Sequence, residues 1–158
     1  MFCKLTSACH INLRFASNRA TIVAMRNSMK CRSNCPINFV LETFGDKWTL
    51  LIVRDLLFKG KKTYGEFLES TEGISTNILA ERLRRLEEHE IVVRDAAQDK
   101  RSTIYRLTAK GKDLLPVMLE MTAWSAKYDA QTNAPADFVR TLRKGRRQLI
   151  ASVLSKLK

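Results

Sequence analysis

The chain has 158 residues, 45% of them hydrophobic and 28% charged, which suits one compact soluble domain with appendages. Its 28 Lys and Arg against 16 Asp and Glu leave a net charge of +12, an excess that usually serves a polyanion. No apolar run approaches the roughly 18 residues of a membrane span, so nucleic acid is expected as the partner and a membrane is not.

The charge is uneven along the chain. The first acidic residue is Glu42, and residues 1–41 carry only Lys4, Arg14, Arg19, Arg26, Lys30 and Arg32. Such a start has the composition of a transit peptide but lacks the apolar centre of a secretory signal. A plainer reading begins translation at Met25 or Met29; dropping residues 1–24 removes only Lys4, Arg14 and Arg19 from the basic excess. Residues 1–30 are therefore expected to be a basic extension or a non-native start. All four cysteines (Cys3, Cys9, Cys31 and Cys35) lie in the first 35 residues. Nothing downstream can pair with them, so a secreted disulfide framework is excluded. Their spacings, even with His10 added, match no strong zinc pattern, and no metal is expected.

Pro36–Phe44 opens with a residue suited to a first helical turn and stops at Gly45. Asp46 can cap the next helix, which runs to Phe58 and Gly60. In it Trp48, Leu51, Ile52 and Leu56 recur at helical spacing, while Leu50, Val53 and Leu57 make the other face apolar. This helix is predicted to be buried almost all round. Thr63-x-x-Glu66 reads as a capping box and starts a brief helix that ends by Gly73. Ser75 then caps a longer helix to about His89, with Leu79, Leu83 and Leu86 on one side. Asn77, Glu81, Arg84 and Glu88 lie on the other. The pair forms a helix-turn-helix pattern.

Ile91–Ala97 and Ser102–Leu107 read as strands joined by the charged loop Gln98–Arg101. Thr108 is predicted to cap a last long helix reaching Tyr128, bent at Pro116. After a break at Gln131–Pro135, residues 131–158 are predicted to form one basic amphipathic helix. Helix-turn-helix followed by a two-stranded ribbon is a winged helix-turn-helix: mainly α with a β wing, over residues 31–130.

Duplex DNA is gripped through its phosphates by cations and read by hydrogen-bonding groups near the start of the inserted helix. Ser75, Thr76, Asn77 and Glu81 suit the reading, and Arg84 and Arg85 the grip. Lys61, Lys62, Thr63 and Tyr64 precede or open the first helix of the pair, where helix amides and cations together favour a phosphate. Lys100 and Arg101, at the hairpin tip, can reach a neighbouring groove. The competing account is that Glu81, Arg84, Arg85 and Glu88 form an ordinary salt-laced solvent face. The wing and the net charge favour DNA. No catalytic constellation or phosphate loop is present, and His89 closes a helix, where an imidazole complements the carbonyl end. The chain is read as no enzyme and without cofactors.

At this point the residues resemble a known family. Cys35-Pro36, Gly45-Asp-Lys-Trp-Thr-Leu-Leu-Ile-Val-Arg-Asp-Leu-Leu57, Gly73-Ile-Ser75, Leu83-Arg-Arg-Leu-Glu-Glu88 and Tyr105-Arg-Leu-Thr-x-x-Gly111 are similar to the HxlR-type winged-helix transcriptional regulators, relatives of the MarR family. The resemblance implies a cytoplasmic homodimer, built through its first and last helices, on a two-fold-related DNA operator. It also marks Cys35 as a redox-sensing candidate, since some members sense electrophiles or oxidants through a cysteine at that position. A thiol at a helix start, with Lys30 and Arg32 nearby, is in an environment that favours the thiolate. Two departures stand out: the wing lacks a proline-rich tip, and Ala80 replaces a frequent Thr. The alternative is a winged-helix protein-interaction module that does not read DNA sequence.

Overall fold

The computed structural model describes residues 33–96 and 103–157. Cys3, Cys9, His10, Cys31, the extension 1–30 and the hairpin tip with Lys100 and Arg101 lie outside the described residues. In chain order the elements are α1 (Pro36–Phe44), α2 (Thr49–Arg54, continued by a π-helical turn, Asp55–Lys59), α3 (Tyr64–Leu68), α4 (Thr76–Glu88), β1 (Val92–Ala96), β2 (Thr103–Leu107), α5 (Ala109–Lys112), α6 (Leu115–Tyr128), α7 (Ala136–Lys144) and α8 (Arg146–Lys156). From Val40 onward the chain forms one compact unit, and Ser33–Phe39 belong to a separate one.

Local sequence sets the boundaries. Asp46 accepts hydrogen bonds from the amides of Trp48 (2.8 Å) and Thr49 (3.0 Å), so it satisfies donors that the start of α2 leaves free. Burial works to raise the Asp46 pKa, but hydrogen bonds from Thr49, Trp48 and Arg82 outweigh it and hold the carboxyl below its usual value. As predicted, α2 carries the centre of the core: Ile52, Val53, Leu56 and Leu57 are buried, with Trp48 and Leu50 packed against them. Leu79, Leu83 and Leu86 of α4 and Leu115 and Leu119 of α6 complete it. Burial of this kind contributes roughly 1.5–3 kcal/mol per large apolar side chain.

The capping box forms as the sequence requires. The Thr63 hydroxyl accepts from the Glu66 amide, and the Glu66 carboxylate accepts from the Thr63 amide at 2.7 Å. Amide donation from Lys62, then from Thr63, holds that carboxyl below the usual glutamate range. β1 and β2 pair antiparallel, with Val92 opposite Leu107 and Arg94 opposite Tyr105. The Tyr105 amide donates to the Lys62 carbonyl at 2.7 Å, and Thr63 bridges Ile104, so the segment before α3 lies along the wing.

Tyr105-Arg-Leu-Thr-x-x-Gly111 now has a mechanical meaning. Tyr105 and Leu107 point into the core, and the Thr108 hydroxyl caps α5 by accepting from the Gly111 amide at 3.0 Å. A Cβ at Gly111 would lie 2.2 Å from the Ile91 carbonyl oxygen, so only glycine lets α5 come this close to the start of β1.

Three expectations need correction. The helix after Thr108 is not one bent rod: it stops at Lys112 and restarts at Leu115. Pro116 lies in the first turn of the restart, where its missing amide costs nothing. Residues 131–158 form two helices divided at Gly145, not one. They are also no loose appendage, because Leu142 is buried in the common core and Phe138, Leu149, Ile150 and Val153 pack on it. Finally, the carbonyl end of α4 is met by Lys110, whose ammonium donates to the His89 carbonyl at 2.6 Å. Burial, then the positive charges of Arg85 and Lys110, lowers the His89 pKa, so the ring is held neutral rather than offered as a cation.

Candidate nucleic-acid interface

The helix pair is clamped before it is exposed. The Tyr64 hydroxyl donates to the Thr76 carbonyl at 2.7 Å, tying the first residue of α3 to the first residue of α4. Ser75 caps α4, accepting from the Ile78 amide at 3.5 Å, and Gly73 takes the left-handed conformation (φ 67°) that the turn between the helices needs. The result is a fixed α4 whose first turn carries no acidic side chain. Ser75, Thr76 and Asn77 are all exposed there. Among the described residues no side-chain hydrogen bond engages Thr76 or Asn77, so both remain available to a ligand. Tyr64, Thr63 and Ser75 have structural tasks: Tyr64 fastens α4, and the other two are caps.

The predicted cations divide into two kinds. Arg84 is exposed and pairs with Glu88, with Glu81 4.0 Å away. Such surface pairs are worth about 0–1 kcal/mol, so a phosphate can displace them at little cost. Lys62 is exposed beside the wing. Arg85 is different: it reaches back to the Glu42 carbonyl and so braces α4 against α1. Lys61 is turned inward as well, donating to the Glu66 carbonyl and the Ser70 hydroxyl, each at 2.8 Å. Glu81 is held by Arg82, which also meets Asp46 at 3.0 Å.

Two cations missed in the sequence stand on the wing strands. Arg94 and Arg106 are both exposed; Arg94 lies 3.7 Å from Glu87, and Arg106 pairs with Asp95. The signal for Arg106 was present, because it alternates with the inward-facing Tyr105 and Leu107. Exposed cations on the wing and on α4, flanking polar side chains at the start of α4, provide what a phosphate-lined groove requires.

Behind the helix pair a buried carboxylate organises the connection. Asp55, at the start of the π turn, is 2% exposed and accepts from Arg54 Nε at 2.8 Å and from the Ser70 hydroxyl. Lys59 and Lys61 stand 3.6 and 3.8 Å from it. Arg54 continues to Glu72, whose pKa it lowers to about 2. The end of α2 is thereby tied to Ser70 and Glu72, in the segment between α3 and α4. Elsewhere, two apolar surfaces remain uncovered. Val117, Met121, Trp124 and Tyr128 form an exposed stripe on α6, and Val40 and Leu41 are exposed on α1. In the separate unit, Cys35 has an exposed thiol, and its carbonyl accepts the first helical bond of α1 from the Phe39 amide at 3.1 Å. Among the described residues there is no cluster of three or more metal-ligating side chains, and no helix long and apolar enough to cross a membrane.

Comparison with known proteins adds a family to this geometry. Residues 43–133 match the HxlR-like helix-turn-helix model. An HTH-type transcriptional regulator of Synechocystis, sll1512, is 40% identical over 88 residues, which are 55% of this chain and 64% of that protein. The HTH-type transcriptional regulator YodB of Bacillus subtilis is 38% identical over 96 residues, covering 60% of this chain and 85% of YodB. The solved reduced form of YodB superposes with a TM-score of 0.52 at 35% identity, over 64% of this chain and all of that one. The redox regulator HypR, in its oxidised form, gives 0.53 at 33% identity, over 59% of this chain and 96% of HypR. The chain thus spans just under two thirds of the Synechocystis relative and nearly all of the structural ones.

Proposed function

The chain belongs to the HxlR-like helix-turn-helix family of DNA-binding transcriptional regulators, and we propose from this premise that it is a homodimer that recognises one two-fold operator sequence through α4. The observation that carries the sequence reading is the start of α4, where Thr76 and Asn77 are exposed with side chains uncommitted on a helix tied to α3 by Tyr64. Base edges in a major groove are read by amide and hydroxyl groups in that position. Arg84, Lys62, Arg94 and Arg106 then supply phosphate contacts, which orient the domain without reading sequence. Lys100 and Arg101, outside the described residues, are proposed from the sequence alone to add phosphate contacts. Selection of bound duplexes from genomic fragments tests the reading: one sequence should survive excess random DNA. Survival of none would favour a protein-interaction module.

Dimerisation is supported by the uncovered stripe of α6 and the exposed apolar residues of α1, which need a partner of the same character. A finer reading concerns Cys35. YodB has been solved in a reduced and a quinone-bound form and HypR in an oxidised form, and the exposed Cys35 stands at the start of α1. Cys35 is accordingly proposed as a sensor of electrophiles or oxidants. Its modification would change DNA binding by favouring one of two dimer arrangements over the other. Diamide or a quinone should weaken operator binding of the wild type and leave Cys35→Ser unaffected. An equal response in both would remove Cys35 from the account.

A further inference from the structure

The basic excess of the chain does not lie in its winged helix. Residues 43–133, the segment that matches the family, hold 15 Lys and Arg against 14 Asp and Glu. Residues 134–158 hold seven against one, and residues 1–42 six against one. The family segment is thus close to neutral, and the charge sits in its flanks. The C-terminal flank is described, as α7 and α8. Five of its cations, Arg140, Arg143, Lys144, Arg146 and Arg147, fall within eight residues, and all five are exposed. Arg140 pairs with Asp137 and Arg146 with Glu120. Arg143, Lys144 and Arg147 make no ion pair among the described residues. Arg143 and Lys144 complement the carbonyl end of α7, but Arg147 stands in the first turn of α8, which holds no acid. A cation there faces the positive end of the helix dipole, so local stability does not account for the cluster.

Arg140, Arg143 and Lys144 rim one hollow, floored by Ala126, Ala134, Ala136 and Val139. Asp129, the acid that also lines it, accepts from the Gln131 amide at 2.9 Å. At about 100° per residue, Ala126 lies on the side of α6 turned away from Met121 and Trp124. A subunit covering that stripe therefore leaves the hollow open. What the surface lacks defines its partner. The apolar side chains of α7 and α8, among them Leu142, Phe138, Leu149 and Val153, are packed in or on the core and not left to enter a bilayer. No aromatic side chain lines the hollow to anchor a protein partner. A duplex needs neither, since cations alone hold its phosphates.

We propose that Arg143, Lys144 and Arg147, with Arg140, form a second surface for duplex DNA, one that grips phosphates and reads no bases. It adds affinity to operator and random DNA alike, and leaves the choice between them to α4. This does not rest on the operator reading, because random duplex is enough to test it.

The test is titration of the full chain with random duplex over a range of salt. Arg143→Gln combined with Lys144→Gln should weaken binding by roughly tenfold or more at low salt, and make the salt slope shallower by about two. Preference for a selected operator over random DNA should stay as in the wild type. Arg143→Lys should bind as the wild type does, since a phosphate grip needs the charge and not the guanidinium fork. In the wild type, random duplex should slow acetylation of Lys144 by an amine-reactive ester, a reading local to this surface. Both side chains are exposed, so thermal melting of the double variant should be unchanged. A double variant with wild-type affinity and salt slope, or a Lys144 that duplex leaves unprotected, would overturn the proposal. So would a loss confined to vesicles containing phosphatidylserine, which would assign the surface to a membrane.

Discussion

Asp55→Ala is expected to lower the stability of the domain by about 3–5 kcal/mol, the usual cost of removing one member of a buried ionic cluster. The size follows from what remains. Arg54, Lys59 and Lys61 all lie within 4.0 Å of this single carboxylate, and the side chains of Arg54 and Lys61 are only 21% and 19% exposed. Without it their charges repel in a poorly hydrated place, and the Ser70 hydroxyl loses its acceptor. Asp55→Asn keeps the shape and part of the hydrogen bonding, so it should fall between wild type and Ala. Equilibrium urea unfolding measures the effect. A loss below about 1 kcal/mol for Asp55→Ala would mean that the cluster is hydrated and contributes little. Because Ser70 and Glu72 are its far anchors, operator binding should weaken in parallel with stability, through disorder ahead of α4.

The largest functional effect is expected from the uncovered apolar surfaces. Val117 is 49% exposed on α6 and Leu41 is 57% exposed on α1, so a glutamate at either is harmless to a monomer. In a dimer it becomes a buried unpaired charge, and Leu41→Glu combined with Val117→Glu should leave a folded monomer in sedimentation. Losing the tether between two half-site readers should then reduce affinity for the two-fold operator by roughly 10²–10⁴, the advantage that linkage provides. A double variant that stays dimeric, or a monomer that binds the operator as tightly as wild type, would contradict this assembly.

What the sequence disclosed depended on how far apart the interacting groups were. Capping is local, so Asp46, Thr63 with Glu66, Ser75 and Thr108 could be placed from neighbours three residues away, and all four cap, Thr108 on the short α5 instead of a helix reaching Tyr128. The leucine face of α4 was equally legible. The destiny of a long cation was not. Arg85 bonds a carbonyl 43 residues earlier, and Lys61 folds back on residues of α3 and the turn after it. No short-range pattern separates these from Arg84, which does face solvent. Helical position does not help: at about 100° per residue Arg84 and Arg85 stand almost equally far, on opposite sides, from the stripe of Leu79, Leu83 and Leu86. The restart at Leu115 was also readable, because Pro116 is at home only in a first turn. The packing of residues 136–156 against the core required knowing where α2 and α6 leave an apolar surface.

The central claim is that α4 reads DNA sequence through its first turn, and one comparison tests it most directly. Asn77→Ala and Arg84→Ala are titrated with the selected operator and with random duplex over a range of salt. Asn77→Ala should cost about 1–3 kcal/mol on the operator and almost nothing on random DNA, because an amide reads a base edge and carries no charge. Arg84→Ala should weaken both duplexes alike and make the salt dependence shallower by about one phosphate contact. If both variants bind both duplexes as the wild type does, α4 is not the reading element and the account fails.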